Sequence, residues 1–402
     1  MTMKAWLAAG KRGAIDLQRF RAVAAGLSLV REARPRPAAV FPSDTPHYDP
    51  ELGIFTFCGT YREMGRQFAE VFPLADLLKR SRTYLRTHKE TRSEIGRAKG
   101  LLETWHPQMR GWLQGIVDHH RQYDLDEAVL AAFCTVLADD AWFSSCSAVA
   151  VNHRGSAIVG QNLDLGRSCR LALIRLVPSS GMVILARVIV GYPWILAIAN
   201  QAGLVVGGSS IDVNEAPRAD GELLPQELLA DLILSRARTV KEVVALLDTL
   251  PALGPLNGGV SLVFADKAGT TCHVEITGGK WVTNMSAEDV CVTTNHFRHP
   301  EMAPLGRVEG WMSERLLENS RARYEHARTF FREPTEADHD AVVALLRVSK
   351  GCGAWLRKAR WPDLGYTTAS YIIDGHDRTI EYWIGSGAQT SRRASIDDLL
   401  RR

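Results

Sequence analysis

Apolar and polar positions divide the chain into two regimes. From Tyr61 to about Asp140, apolar residues recur three and four places apart over 75–89, 90–104, 108–123 and 126–139, the spacing of helices that bury one face. A short run, Ile54-Phe55-Thr56-Phe57-Cys58-Gly59-Thr60, precedes them and predicts a strand that ends at glycine and hands over to a helix at Tyr61. Beyond Cys146 the pattern becomes short β-type runs broken by Gly, Pro, Asn and Asp: 148–152, 157–161, 171–176, 183–190, 194–200, 203–208, 259–266, 271–276, 280–284 and 290–294. Of these, 183–190 is the most hydrophobic and predicts a central buried strand. One helical pair, 224–237 and 239–248, interrupts the series. A second, 309–332 and 336–348, precedes two last strands at 368–374 and 379–384. Many strands with few, paired helices predict two antiparallel sheets covered by helices, an α+β sandwich.

The N-terminus reads differently. Basic residues at helical spacing over 1–31 predict a surface amphipathic helix, and Pro35, Pro37, Pro42, Pro46 and Pro50 predict an extended linker after it. The organisation expected is therefore helix and linker over 1–50, a mostly helical segment over 51–145, and a strand-rich core over 146–402.

Composition narrows the function. At 402 residues, 46% apolar and 23% charged, the chain can bury a large core. A net charge of +3 from 48 basic and 45 acidic residues, without a basic stripe interleaved with aromatics, argues against nucleic acid as a partner. No stretch approaches the roughly 18 apolar residues of a membrane span, and the N-terminus lacks a compact apolar signal region, so a cytoplasmic protein is expected. Seven cysteines, with no CxxC and no His/Cys cluster, argue against a disulfide framework and structural zinc. Without a GxGxxG after a strand, a Walker pattern or HExxH, neither a nucleotide cofactor nor a catalytic metal is implied.

The chemistry concentrates around Ser144-Ser145-Cys146-Ser147-Ala148-Val149, where small residues lead a cysteine into an apolar β-run. A turn at His153-Arg154-Gly155 folds this run onto the next, which carries Gln161-Asn162-Leu163-Asp164-Leu165, and is expected to bring thiol and carboxylate side by side. Two further clusters stand out: Thr293-Thr294-Asn295-His296-Phe297 at the end of a β-run, and Asn319-Ser320-Arg321-Ala322-Arg323-Tyr324 at helical spacing. Each alone has a plain reading, as a small buried thiol, a turn-capping Asp or a solvated basic face. His119 and His120, consecutive on a helix, point in different directions and do not make a metal pair.

Taken together, these clusters resemble the penicillin acyltransferase-like (acyl-CoA:6-aminopenicillanic acid acyltransferase) family of N-terminal-nucleophile cysteine hydrolases, related to choloylglycine (bile-salt) hydrolase and acid-ceramidase-type amidases. Phe57-Cys58-Gly59-Thr60-Tyr61-Arg62-Glu63-Met64-Gly65 is similar to the family's opening, and 107–127 to its helical approach to a cleavage site. Asn200-Gln201-Ala202-Gly203-Leu204, Val263-Phe264-Ala265-Asp266 with Gly269, and His273-Val274-Glu275 follow in the order of its middle strands. The resemblance implies a four-layer αββα sandwich and autoproteolysis between Ser145 and Cys146, giving a heterodimer of the chain's own fragments that could assemble further. It implies Cys146 as nucleophile with its new α-amine as base, Asp164 orienting that amine or thiol, Asn295 as oxyanion donor, and Arg321 or Arg323 supporting the site by pairing with a carboxylate. Gln161 and His296 would line the substrate site. The partners implied are a small acyl donor, an amide or acyl thioester, and an amine or water acceptor.

One position departs from the wider superfamily. The bile-salt and ceramidase-type branches carry Arg three residues before the aspartate, and Gln161 stands there instead, an amide that supplies no charge to the thiol. That points to the acyltransferase-like branch. Two other readings compete: an uncleaved thiol hydrolase pairing Cys146 with His153 or His296, and an inactive sandwich that binds a small molecule.

Overall fold

The structure, a computed structural model, describes residues 45–88, 91–133, 146–165, 169–211, 228–250, 259–277, 280–284, 290–306, 310–332, 337–351, 353–360, 363–384 and 390–401. The amphipathic helix expected at 1–31, most of the proline linker, and Ser144 and Ser145 lie outside the described residues.

Two sheets form the centre. The first orders its strands β1 (Tyr48–Asp49), β2 (Ile54–Gly59), β5 (Leu171–Pro178), β6 (Ile184–Ile189), β7 (Leu196–Asn200), β8 (Val205–Ile211), β9 (Gly259–Ala265), β10 (Thr271–Thr277) and β11 (Lys280–Asn284). The second orders β12 (Val290–Thr293), β3 (Ser147–His153), β4 (Ser156–Leu165), β14 (Asp363–Asp374), β15 (Thr379–Ile384) and β16 (Arg392–Ser395), with β13 (Lys358–Arg360) on β14. Among the described residues pairing is antiparallel except for β2 beside β5, which is parallel. This corrects the expectation of purely antiparallel sheets. Between β2 and β5 the chain runs through a set of helices and the whole β3–β4 hairpin, the long crossover that a parallel pair requires.

The helices divide between the outer faces. On the first sheet lie α1 (Tyr61–Val71), α2 (Ala75–Thr87), α3 (Thr91–Trp105), α4 (Pro107–His119), α5 (Leu125–Phe133), α6 (Leu229–Arg236) and α7 (Val240–Leu247). On the second lie α8 (Gly310–Phe330) and α9 (His339–Arg347), while α10 (Ile396–Leu400) closes the C-terminus. Strand alternation sorts the core into three seams. Ala148, Val159 and Tyr371 meet Leu173, Leu185 and Val263 between the sheets. Val149, Ile158 and Ile372 face Val342 and Leu345 on the second sheet's outside. Phe57, Ile174 and Val188 face Phe68, Trp112 and Leu232 on the first sheet's outside. The layers are therefore α, β, β, α.

The N-terminal helices are fastened by local chemistry. Thr60 and Glu63 form a reciprocal cap at the start of α1. Gly65 and Gly115 let α1 and α4 cross closely, since a Cβ on Gly65 would fall 2.1 Å from the Trp112 carbonyl oxygen. The hairpin that carries the site turns through Arg154 (φ 51°) and Gly155 (φ 79°), consecutive left-handed residues whose twist suits a tight antiparallel turn. Among the described residues no helix is long and apolar enough to cross a membrane.

Candidate active site

Cys146 stands immediately before β3 and is 3% exposed. Because Ser147 pairs with Asn162, Cys146 lies opposite Leu163, one place from Asp164. Thiol and carboxylate are adjacent in register but on opposite faces of the sheet, which corrects the side-by-side arrangement expected from the sequence. By strand alternation Cys146 shares the face of Ala148, and it clusters with Leu163 opposite; Asp164, with Asn162, follows the face under α8 and α9. The Cys146 Sγ lies 4.0 Å from the Asp164 backbone carbonyl. Burial foremost, and then the Asp164 charge, push the thiol up to about 11 in the continuous chain, while Arg187 and Arg323 pull the other way.

Asp164 is buried with a hydrogen-bond donor on Oδ1, a guanidinium near Oδ2, and no hydrogen bond to Oδ2 among the described residues. Thr367, its register partner on β14, donates from Oγ1 to Oδ1 at 2.6 Å, and Arg357 Nη1 is 3.8 Å from Oδ2. Burial raises the carboxyl above its ordinary range against the pull of Arg357, Arg323 and Thr367. Burial likewise lowers Arg357 to about 9.

Arg323 is where the clusters meet. It is 1% exposed on α8, whereas Arg321 on the same helix is exposed to solvent. Arg323 Nη1 donates to the Cys146 carbonyl at 3.1 Å and to Ser147 Oγ; Nη2 donates to Asn295 Oδ1 at 2.8 Å, and Nε to Asn319 Oδ1 at 3.0 Å. Since a guanidinium only donates, it fixes the Asn295 amide with Oδ1 toward Arg323, and Nδ2 donates to the Ser210 carbonyl at 2.7 Å. The family resemblance implied a carboxylate partner for Arg321 or Arg323. The structure places amide and carbonyl oxygens on Arg323, and Arg357 and Arg323 both act on the Asp164 carboxylate.

The two histidines weighed as bases lie elsewhere. His153 ends β3 opposite Ser156, seven residues and about 20 Å of strand from Cys146. His296 turns Nδ1 to Ser320 Oγ (2.8 Å) and Thr294 Oγ1 (3.1 Å), and burial together with Arg321, Arg298 and Arg323 lowers it to about 4. Among the described residues neither ring is hydrogen-bonded to Cys146. A Ser–His contact does exist at Ser261 and His273 Nε2 (2.7 Å), but Arg298 donates to His273 Nδ1 at 2.7 Å. That leaves the proton on Nε2, the wrong tautomer for deprotonating a serine. The pair belongs to a buried network through Thr293 and Ser209 that grips the Thr294 carbonyl beside Asn295.

Several contributors carried no local signal. Arg357, Thr367 and Tyr371 come from the C-terminal part of the chain, and Arg187 from β6. Gln161 donates to the Gly208 carbonyl (2.6 Å), while its Oε1 accepts from Arg187 Nη1 (3.0 Å) and the Tyr371 hydroxyl (2.7 Å). The position that supplies no charge itself thus holds a guanidinium in place.

Residues 192–389 match the family described as acyl-coenzyme A:6-aminopenicillanic acid acyl-transferase. This bears out the resemblance over a stretch that contains Asn295, His296 and Arg323 and begins after Cys146 and Asp164. Similar solved structures include a mutant of the conjugated bile acid hydrolase from Clostridium perfringens, at 14% identity over 63% of this chain and 93% of that one, TM-score 0.44. Penicillin V acylase from Agrobacterium tumefaciens is another, at 16% identity over 64% of this chain and 88% of that one, TM-score 0.40. No curated protein matches the chain in sequence.

Proposed function

We propose that this chain, which over 192–389 carries the acyltransferase family's sequence, is a self-processing N-terminal-nucleophile enzyme that transfers acyl groups through a thioester on Cys146. The observation that carries the reading is the convergence on Cys146. Arg323 bridges its carbonyl to Asn295, and Asp164 lies behind its backbone in a cationic pocket.

In the precursor, Cys146 Sγ attacks the Ser145 carbonyl carbon; the C–N bond breaks, a C–S bond forms, and the thiol proton passes to the departing nitrogen. Water then cleaves the thioester, returning the thiol and leaving Ser145 as a carboxylate and Cys146 with a free α-amine. The same atoms serve turnover. The amine, with an ordinary pKa of about 8 beside a thiol of about 8.5, accepts the thiol proton while sulfur attacks an amide or thioester donor. Asp164 orients the amine, and Asn295 Nδ2 donates to the tetrahedral oxyanion. The proton carried by the amine leaves with the amine or thiol product, and water or an amine acceptor releases the acyl group. Water as acceptor gives an amidohydrolase, an amine an acyltransferase.

Denaturing intact-mass measurement on the wild type beside Cys146→Ala tests this directly. Two wild-type species divided between Ser145 and Cys146, with the variant in one piece, are expected; a single full-length wild-type species removes the free-amine mechanism.

A further inference from the structure

On β6, Arg187 stands two residues from Leu185, whose side chain lies between the sheets, so alternation puts an arginine on an inward-facing position. Its register partner is Leu173, whose side chain lies between the sheets, and the guanidinium crosses that space to Gln161 on the opposite sheet. There it rests on the Tyr371 ring, 5.5 Å from the centroid. Among the described residues it makes no ion pair, and its Nε is buried without a hydrogen-bond partner. A half-buried cation without a countercharge destabilises the fold and calls for a reason outside stability.

Its placement supplies one. Gln161 pairs with Ala148, and Cys146 lies two residues from Ala148 on the same face, about 7 Å along the strand. We propose that Arg187 is the electrostatic partner of the Cys146 thiolate: anchored on Gln161 and Tyr371, its guanidinium stabilises the sulfur anion after the α-amine has taken the thiol proton. The inference rests on the function proposed above.

Among the described residues, the ionisable groups around Cys146 are Asp164 from β4, Arg187 from β6, Arg323 from α8, Arg357 ahead of β13 and Tyr371 from β14. Asp164 opposes the thiolate, and Arg323 is already engaged by the Cys146 carbonyl, Ser147 and Asn295. Arg187 and Arg323 both pull the thiol down, and of the two only Arg187 reaches the site from the facing sheet.

The test is the pH profile of iodoacetamide alkylation, read at the Cys146 peptide by mass spectrometry, in self-cleaved wild type, Arg187→Gln and Arg187→Lys. The exposed Cys58 serves as internal control. Arg187→Gln should move the half-point up by about one unit, about ten-fold less thiolate at neutral pH, and Arg187→Lys should recover most of it. A folded Arg187→Gln with the wild-type half-point, or a Lys variant displaced as far as the Gln variant, overturns the inference. Should Arg187→Gln not fold, Gln161→Met, which releases the guanidinium from its anchor, must shift the profile upward, and an unchanged profile there overturns it equally. If wild-type Cys146 is not a new N-terminus or takes no label, the proposed function itself fails and the inference falls with it.

Discussion

Asn295 shows how one side chain acquires a direction. An amide can present either oxygen or nitrogen to a site, and Arg323, able only to donate, settles which by taking Oδ1. Nδ2 then faces as a donor. Replacing Asn295 with Ala removes the proposed oxyanion donor while leaving the nucleophile in place. Expected is a loss in kcat of about a hundred- to a thousand-fold with a smaller change in KM. Steady-state hydrolysis of an acyl-amide reporter by self-cleaved enzyme measures it. His296, two residues from Thr294, was equally visible in the sequence as a competing base. Its identity said nothing of its surroundings, and burial, with Arg321, Arg298 and Arg323 nearby, keeps it neutral.

The elements were largely legible because periodicity reports burial directly. The helices expected from spacing at 75–89, 90–104 and 309–332 are α2, α3 and α8, and the hairpin of β3 and β4 follows from two apolar runs around His153-Arg154-Gly155. Pairing partners were not legible, since alternation marks which face of a strand is buried and not which strand lies beside it. Thr367 and Tyr371 reach the site because β14 is the neighbour of β4, some 200 residues on. The joint between α9 and the second sheet offers a test. His339 opens α9 between Asp374 (3.5 Å) and Glu381 (2.8 Å), and these carboxylates, Asp374 first, raise its pKa. A raised histidine pKa means that the native state holds the proton more tightly than the unfolded chain. Its stabilisation is fully present below about pH 6.5 and is lost as pH rises through the higher folded value. The difference in urea midpoint between wild type and His339→Gln should therefore be largest at about pH 6 and shrink toward about pH 8.5. A difference independent of pH would mean that His339 acts through packing alone.

Across the whole molecule, the segment before Cys146 is built into the core. It supplies β1 and β2 to the first sheet, and Phe55 and Phe57 join Ile174 and Leu176 in one cluster. If the chain cuts itself between Ser145 and Cys146, the two fragments should co-elute in native size-exclusion chromatography and separate only in denaturant. Separation under native conditions would contradict the shared core.

Composition, spacing and motif order were enough to identify a strand-rich sandwich behind a helical segment, a cysteine at the head of a hairpin, and the four clusters Cys146, Asp164, Asn295 and Arg321/Arg323. These are properties of the covalent chain: local periodicity and the order of residue types along it. The burial of Arg323 beside the Cys146 carbonyl with Arg321 exposed, the faces taken by Cys146 and Asp164, and the arrival of Arg187, Arg357, Thr367 and Tyr371 were decided by packing. Each depends on which face a helix turns inward, or on which strand adds beside which, and those are contacts between segments distant in sequence. Gln161 joins the two levels: its lack of charge was plain from the sequence, and the guanidinium it anchors came only with the fold.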